Sequence, residues 1–255
     1  MRITLIIPAL NEAACLGPLL AELPAGLAHE LLVVDNRSTD DTAGAARRAG
    51  AHVIAEPRRG YGYACAAGAA AAGGDLLAFI DADGSFIPGE LAALLAPLLH
   101  GSADLVLGTR MRGGMAAGAM PLHQRFGNQL IARLMFGLYG LRLTDLGPFR
   151  VIRRDLLNTL DMREMTYGWP VEMIVKAARH GARIVELPIS YRPRSAGKSK
   201  VGGTFRGTIL ATYRILRTTF RYALGGTAQQ RRLRTGGTYA HEPRRDRKNK
   251  HSQSL

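Results

Sequence analysis

Short apolar runs alternate with longer amphipathic stretches through the first half of the chain, and the alternation reads as repeated strand and helix. Residues 3–7 are apolar and largely β-branched and stop at Pro8, and a helical spacing of Leu and Ala follows over 13–23. The plan repeats: apolar residues at 31–34, a polar turn, then a helix that runs to Ala49 and stops at Gly50. Ser38 has the character of an N-cap for that helix, with Asp41 three residues on. Strands at 52–55 and 76–80 flank a helix at 61–72, Pro88 opens a helix to Leu99, and 104–107 supplies a fifth strand. Successive units of this length predict an α/β fold with parallel strand pairing and right-handed crossovers, flanked by helices.

After Gly108 the texture changes. A loop rich in Gly and Ala runs to Pro121, and the spacing then predicts a helix over 122–139, a short strand around Val151 and a helix over 169–180. Strands at 183–187 and 190–192 are separated by Pro188, and 192–200 is a basic loop. In the last helix, 203–224, Phe205, Ile209, Tyr213, Leu216 and Phe220 share one face, with Arg206, Arg214, Arg217 and Arg221 beside it. Such a helix suits a membrane interface, and it equally suits packing on the domain with its arginines in water. Residues 225–255 turn to Gln, Arg, Gly, Lys and Ser and read as a disordered basic tail.

Ligands of open parallel sheets lie beyond the carboxyl ends of the strands. Asn11 and Glu12, Asp35, and the pair Asp81 and Asp83 each follow such an end, so three polar clusters are expected to share one crevice. The last is the most informative. Five apolar residues from Leu76 to Ile80 predict a strand buried on both faces, and the Asp81-Ala82-Asp83-Gly84 that follows puts two carboxylates on the same side of the chain. They can converge on a hard cation that keeps positions free for phosphate oxygens. A polar strand end and turn would read the same way in isolation.

Length and composition narrow the picture without deciding it. The 255 residues, 47% of them hydrophobic, suffice for one catalytic domain, and the formal charge of +14 predicts attraction to polyanions. Basic residues crowd the chain from Arg192 onward, and no nucleic-acid recognition motif accompanies them, so nucleic acid is not an expected partner. Cys15 and Cys65 alone cannot build a disulfide framework or a zinc cluster, which points to reduced thiols in a cytoplasmic setting. Charge interrupts every long apolar stretch, and the apolar start meets Pro8, Asn11 and Glu12 too early for a signal peptide.

Three ordered motifs, Pro8-Ala9-Leu10-Asn11-Glu12, 34–42 beginning Val34-Asp35-Asn36, and Asp81-Ala82-Asp83, resemble those of family 2 glycosyltransferases of GT-A fold. Within that family the chain is similar to the dolichyl- or polyprenyl-phosphate mannosyl- and glucosyltransferase branch, over about residues 4–222. The resemblance implies a GT-A (Rossmann-like), mostly parallel sheet flanked by helices, with a C-terminal amphipathic helix. It also implies a catalytic domain over 1–224, with a nucleotide-sugar half at 1–108, an acceptor half at 109–200 and the basic helix at 201–224.

Carried over by motif, the resemblance implies that Pro8, Leu10, Glu12, Asp35 and Asn36 frame the nucleotide. Asp81, Ala82 and Asp83 would meet the donor diphosphate, with Asp81 and Asp83 holding Mn²⁺ or Mg²⁺. Arg110 matches an arginine facing the phosphates, and Lys198, Ser199 and Lys200 match a basic loop closing over donor and acceptor. Ser85 stands where the branch often has glutamine. Asn36 replaces a second acid, Leu146-Gly147-Pro148-Phe149-Arg150 departs from the usual Thr-Ser-Gly-Phe-Arg, and Tyr167-Gly168-Trp169 differs from the mannosyltransferases; the donor is left between UDP-glucose and GDP-mannose.

The implied reaction is inverting transfer of a sugar from a nucleotide-diphosphate sugar to polyprenyl phosphate, at the cytoplasmic face of a membrane that the protein touches peripherally. An anionic phosphate acceptor needs little help from a base. A hydroxyl acceptor needs a carboxylate, for which Asp145 and Glu172 are the candidates; a turn cap and a helix-dipole partner are the structural readings of the same two residues. A sugar nucleotidyltransferase is a more remote reading, and the segment after the first strand lacks the glycine-rich phosphate loop it calls for.

Overall fold

The computed structural model describes residues 1–197 and 205–224. The expected units form in order: β1 (Ile3–Ala9), α1 (Ala13–Ala21), β2 (Glu30–Asp35), α2 (Thr42–Arg48), β3 (His52–Ala55), α3 (Tyr61–Ala71) and β4 (Leu76–Phe79). A 3-10 turn at Pro88–Glu90 leads into α4 (Leu91–Leu99), and β5 (Leu105–Thr109) ends the first half. The second half contributes α5 (Leu122–Tyr139), β6 (Arg150–Arg153), a short α6 (Arg154–Thr159), α7 (Trp169–Arg179), β7 (Ile184–Pro188) and α8 (Phe205–Leu224).

All seven strands belong to one sheet, ordered β3-β2-β1-β4-β6-β5-β7. Every residue of β4 is buried, and its side chains alternate between two cores. Leu77 and Phe79 join Ile6, Leu32 and Trp169 on the side of α3 and α7, whereas Leu76 and Ala78 join Leu16, Leu94 and Leu98 on the side of α1 and α4. The two-residue period thus distributes one apolar run over both faces. Phe79 meets Trp169 edge to face at 5.0 Å between centroids.

Three details differ from the sequence reading. Most strand pairs are parallel, but β6 runs antiparallel to both β4 and β5, in register Phe79↔Arg150 and Leu107↔Arg150. The reason is that segment 110–149 leaves β5 and comes back at the same sheet edge, with Gly108 N donating to Phe149 O at 2.8 Å. No strand forms over 190–192. Tyr191 makes an isolated bridge with Met115, while the N–H of Ser190 goes to the Glu90 carboxylate (2.9 and 3.0 Å) and that of Arg192 to Ser85 O (3.0 Å).

Helix α2 begins at Thr42, so Ser38 does not cap it. Asp40 instead accepts the N–H of Thr42 at 3.1 Å, and Ser38 Oγ accepts the N–H of Asn11 at 2.9 Å, tying the β2 turn to the β1 turn. Helix α8 packs one side on the domain: Ala211, Thr218 and Thr219 are buried, Tyr139 Oη donates to Thr219 O and Tyr222 Oη to Glu172. Of the described members of its predicted apolar face, Tyr213 and Phe220 are exposed and Leu216 is half-buried. The basic tail and the lysines of the basic loop lie outside the described residues.

Candidate active site

A cavity of about 750 Å³ opens at the carboxyl ends of β1, β2 and β4 and extends to the facing sides of α5 and α8. Pro8, Leu10, Glu12, Asn36, Asp81, Ala82, Asp83 and Arg110 all line it, so the structure gathers most of the sequence-predicted positions around one space. Asp35 is not in the lining; its Oδ1 accepts the N–H of Ser38 at 3.0 Å and shapes the turn beside it. Asn36 is buried and structural in its contacts, donating to the carbonyls of Glu56 (3.2 Å) and Arg58 (2.7 Å) and accepting from Gly60 N (2.8 Å). A second carboxylate there could not donate these bonds.

The acid pair stands on the exit of β4. Asp81 accepts a hydrogen bond from Tyr61 Oη at 3.2 Å, and burial together with the charge of Asp83 raises its pKa to about 6. Asp83 accepts from Ser85 N (3.0 Å) and Ser85 Oγ (2.5 Å) through one oxygen, and pairs with Arg194 Nη1 (2.9 Å) through the other. Arg194 also bridges to Glu12, with Nη2 at 2.7 and 2.8 Å from its two oxygens. One guanidinium therefore links the first-strand acid to the fourth-strand acid.

Gly84 turns with φ of +73°, and a Cβ there would lie 2.0 Å from Ser195 Oγ. The close approach lets Ser195 N bond Asp83 O (3.0 Å) and Arg192 Nε bond Gly84 O (2.6 Å), so the basic loop is stitched to the acidic turn. Two hard oxygen donors carrying like charge, one of them raised in pKa by the other, fit a Mg²⁺ or Mn²⁺ ion held by few carboxylates. No third His, Cys, Asp or Glu completes a cluster among the described residues, which leaves room for phosphate oxygens and water.

Arg110 is held from behind. Asp145 Oδ2 accepts from Arg110 Nε (2.7 Å) and Arg110 N (3.0 Å), and Oδ1 accepts from Arg110 Nη2 (2.7 Å), Asn128 Nδ2 (2.6 Å) and Leu146 N (2.7 Å). Burial disfavours both charges, but each partner outweighs it for the other, holding Asp145 below the usual carboxylate range and Arg110 above the usual guanidinium range. Arg110 also lies 5.1 Å over the Tyr191 ring. Asp145 is fully engaged and absent from the cavity lining, so its geometry is that of a group that positions Arg110.

Glu172 is not brought to the cavity either. It is fully buried at the start of α7, where it pairs with Lys176 Nζ (2.9 Å) and accepts from Tyr222 Oη and the N–H groups of Arg163 and Glu164. These bonds, led by that of Tyr222, outweigh burial and hold its pKa below the usual carboxylate value. Lys198, Ser199 and Lys200 fall outside the described residues.

The model of the family described as Glycosyl transferase family 2 matches residues 4–161. The chain belongs to glycosyltransferase family 2. It is 46% identical over 209 residues to an uncharacterized glycosyltransferase of Mycobacterium tuberculosis, covering 82% of this chain and 94% of that one. It is 35% identical over 224 residues to an undecaprenyl-phosphate mannosyltransferase of Micrococcus luteus, covering 81% and 90%, and 35% identical over 195 residues to a dolichyl-phosphate hexose transferase of Haloferax volcanii, covering 75% and 82%. Its fold is that of glucosyl-3-phosphoglycerate synthase from Mycobacterium tuberculosis, solved with Mn²⁺, uridine diphosphate and glucosyl-3-phosphoglycerate, with a TM-score of 0.73, 24% identity, and coverage of 89% and 81%.

Membership of glycosyltransferase family 2 makes the chain a hexosyltransferase and sets aside the nucleotidyltransferase reading. Several lining residues of this glycosyltransferase have no role in the sequence reading, among them Tyr61, Tyr191 and Arg194, and Arg150 enters it only as the end of the 146–150 segment. Arg194 carried a signal, since it lies in the basic loop. Tyr61 looked like an ordinary helix start. Arg150 is fully buried, bonded to Leu146 O (2.5 Å) and Pro170 O (3.0 Å); its segment stands out in the sequence for its departures, and that its cation sits under the strand-end acid is shown by the structure.

Proposed function

We propose that the protein is an inverting hexosyltransferase that moves a sugar from a nucleotide-diphosphate donor, UDP-glucose or GDP-mannose, to polyprenyl phosphate at a membrane surface. The observation that carries this reading is the two-ended cavity. One end has Glu12, Asp81, Asp83, Arg110 and Arg194; the other is walled by Leu130, Ile131, Ile215 and Leu216. A charged diphosphate suits the first end and a hydrocarbon chain the second.

Pro8, Leu10 and Glu12 flank the base and ribose. Asp81 and Asp83 hold the divalent ion, which when bound screens the charge that develops on the leaving diphosphate. Arg110, fixed by Asp145, adds a directed positive charge to the same phosphates without having to reorganise. An oxygen of the acceptor phosphate attacks the anomeric carbon in line; the bond to the diphosphate oxygen breaks, and the electron pair leaves with the nucleoside diphosphate. The acceptor is already anionic, so no proton has to be removed. This agrees with a cavity in which Asp145 is committed to Arg110 and from which Glu172 is absent.

The relatives named for undecaprenyl and dolichyl phosphate support the lipid acceptor. Incubation with sugar-labelled UDP-glucose or GDP-mannose, undecaprenyl phosphate and Mn²⁺ is the test, with label expected in the organic phase. Label transferred only to a soluble hydroxyl acceptor such as phosphoglycerate would overturn the acceptor assignment. Lys198 and Lys200 complete the proposed diphosphate clamp, and their replacement by alanine lowers turnover on this reading.

A further inference from the structure

Helix α5 presents an unusual face to solvent. Its inner side, Ile131, Met135 and Tyr139, packs into the core in the ordinary way. Its outer side is also apolar: Leu122 is 69% exposed, Phe126 68%, Leu130 51% and Phe136 52%. At helical spacing these four occupy about a third of the wheel, together with Arg133. Helix α8 packs beside α5 and adds exposed Leu210 (49%) and Tyr213 (57%). Single exposed apolar residues are unremarkable, whereas six on two adjoining helices mark an interaction surface.

Charge identifies what covers it. The chain has no Asp or Glu between Asp104 and Asp145, nor between Glu186 and Glu242, so neither helix contains an acid, and none lies between β5 and α5 or between β7 and α8. The same two helices carry Arg125, Arg133, Arg214, Arg217 and Arg221. An apolar face on helices whose fixed charges are all arginines suits the acyl boundary of an anionic leaflet, with the guanidinium groups at headgroup level. A second copy docked on the same patch would oppose arginine to arginine.

The position of this face relates it to the reaction. Leu130 is at once half exposed and part of the cavity wall, and Ala211, Ile215 and Leu216 of α8 line the same cavity across from it. The apolar end of the cavity is thus continuous with the outer surface. We infer that α5 and α8 together form a membrane-docking platform for an anionic bilayer, and that the lipid acceptor enters the cavity sideways between them. The entry route rests on the lipid-phosphate reading above; the docking platform does not.

The test uses the full chain with Leu122→Glu and Phe126→Glu combined, two exposed positions outside the cavity lining. Flotation with phosphatidylglycerol-rich vesicles is expected for the parent protein and about tenfold weaker or worse for the variant. Turnover on undecaprenyl phosphate in those vesicles is expected to fall in parallel, with turnover on short, water-soluble citronellyl phosphate unchanged. A second variant, Arg133→Glu with Arg217→Glu, is expected to lose phosphatidylglycerol binding while leaving the apolar residues in place. Parental flotation by both variants would overturn the platform, as would a parent that never floats or a variant whose only change is loss of a dimer in sedimentation. Turnover on neither phosphate would overturn the proposed function and leave the flotation result to decide the platform on its own.

Discussion

The two ends of the cavity are built by opposite means. At the acidic end each functional group stands at a strand terminus and is pinned by named bonds: Tyr61 on Asp81, Ser85 and Arg194 on Asp83, Asp145 on Arg110. At the α5 and α8 end Leu130, Ile131, Ala211, Ile215 and Leu216 stand among a few polar side chains and are held by packing, with Tyr139 Oη on Thr219 O as a polar tie. Bond geometry can hold a charge to a fraction of an ångström, as transfer chemistry needs. A hydrocarbon wall gives looser positioning and tolerates many chain conformations, which suits the long lipid proposed as acceptor.

Predictions that break this contrast start at the acidic end. Replacing Asp83 by Ala is expected to lower turnover by about a thousandfold or more and to abolish the Mn²⁺-dependent part of the thermal shift seen with a nucleoside diphosphate; a full metal-dependent shift in the variant would refute the site. Asp145→Asn is expected to cost about 3–5 kcal/mol of stability by leaving Arg110 buried without its counter-charge. Its turnover falls while the shape of the pH–rate profile is unchanged, whereas a general base would take the acidic limb of the profile with it.

Asp81 sharpens the contrast through pH. Its folded-state pKa of about 6 lies above the ordinary value of 3.8, so the folded state binds this proton more tightly than the unfolded state does. The protonated form therefore favours folding fully below pH 4, and that contribution is lost as pH rises towards 6. Above pH 6 the metal-free carboxylate is a net cost on the order of 2–3 kcal/mol. Asp81→Asn is accordingly expected to raise the metal-free melting temperature at pH 7.5, to leave it nearly unchanged at pH 4, and to be inactive at both. Calorimetry at the two pH values checks the sign.

Smaller effects are expected away from the acid pair. Glu172→Gln weakens the pair with Lys176 and the bond from Tyr222 that joins α7 to α8, and about 1–3 kcal/mol of stability is expected to be lost with turnover per folded molecule unchanged. Arg194→Gln frees Asp83 from its internal cation, and isothermal titration without nucleotide is expected to show Mn²⁺ binding tighter by about two- to fivefold, since the lost pair is partly exposed and screened.

Most of the acidic end could be read from the linear chain, because a parallel sheet brings strand ends together and the motifs at 8–12, 34–36 and 81–83 sit on those ends. The second half was less readable. Two features hid there: a strand that runs the other way, and Asp145 and Glu172, carboxylates whose partners come from distant segments. Asp145 looks like a candidate base until Asn128 and Arg110 are seen to use its oxygens. The outward apolar face of α5 was present in the spacing of Leu122, Phe126 and Leu130, but spacing alone cannot say which side of a helix faces the core when both sides are apolar.

The reversed strand β6 has a consequence for how such an enzyme changes its acceptor. Segment 110–149, which holds Arg110, Asp145 and all of α5, begins and ends on neighbouring strands with Gly108 bonded to Phe149 across the gap. It is in effect one very long hairpin connection, and the entropy of closing such a connection grows only slowly with its length. Insertions, deletions or wholesale exchange of the proposed acceptor wall can therefore be absorbed between two fixed anchor points, with the register of the seven-stranded sheet and the turns after β1, β2 and β4 left as they are.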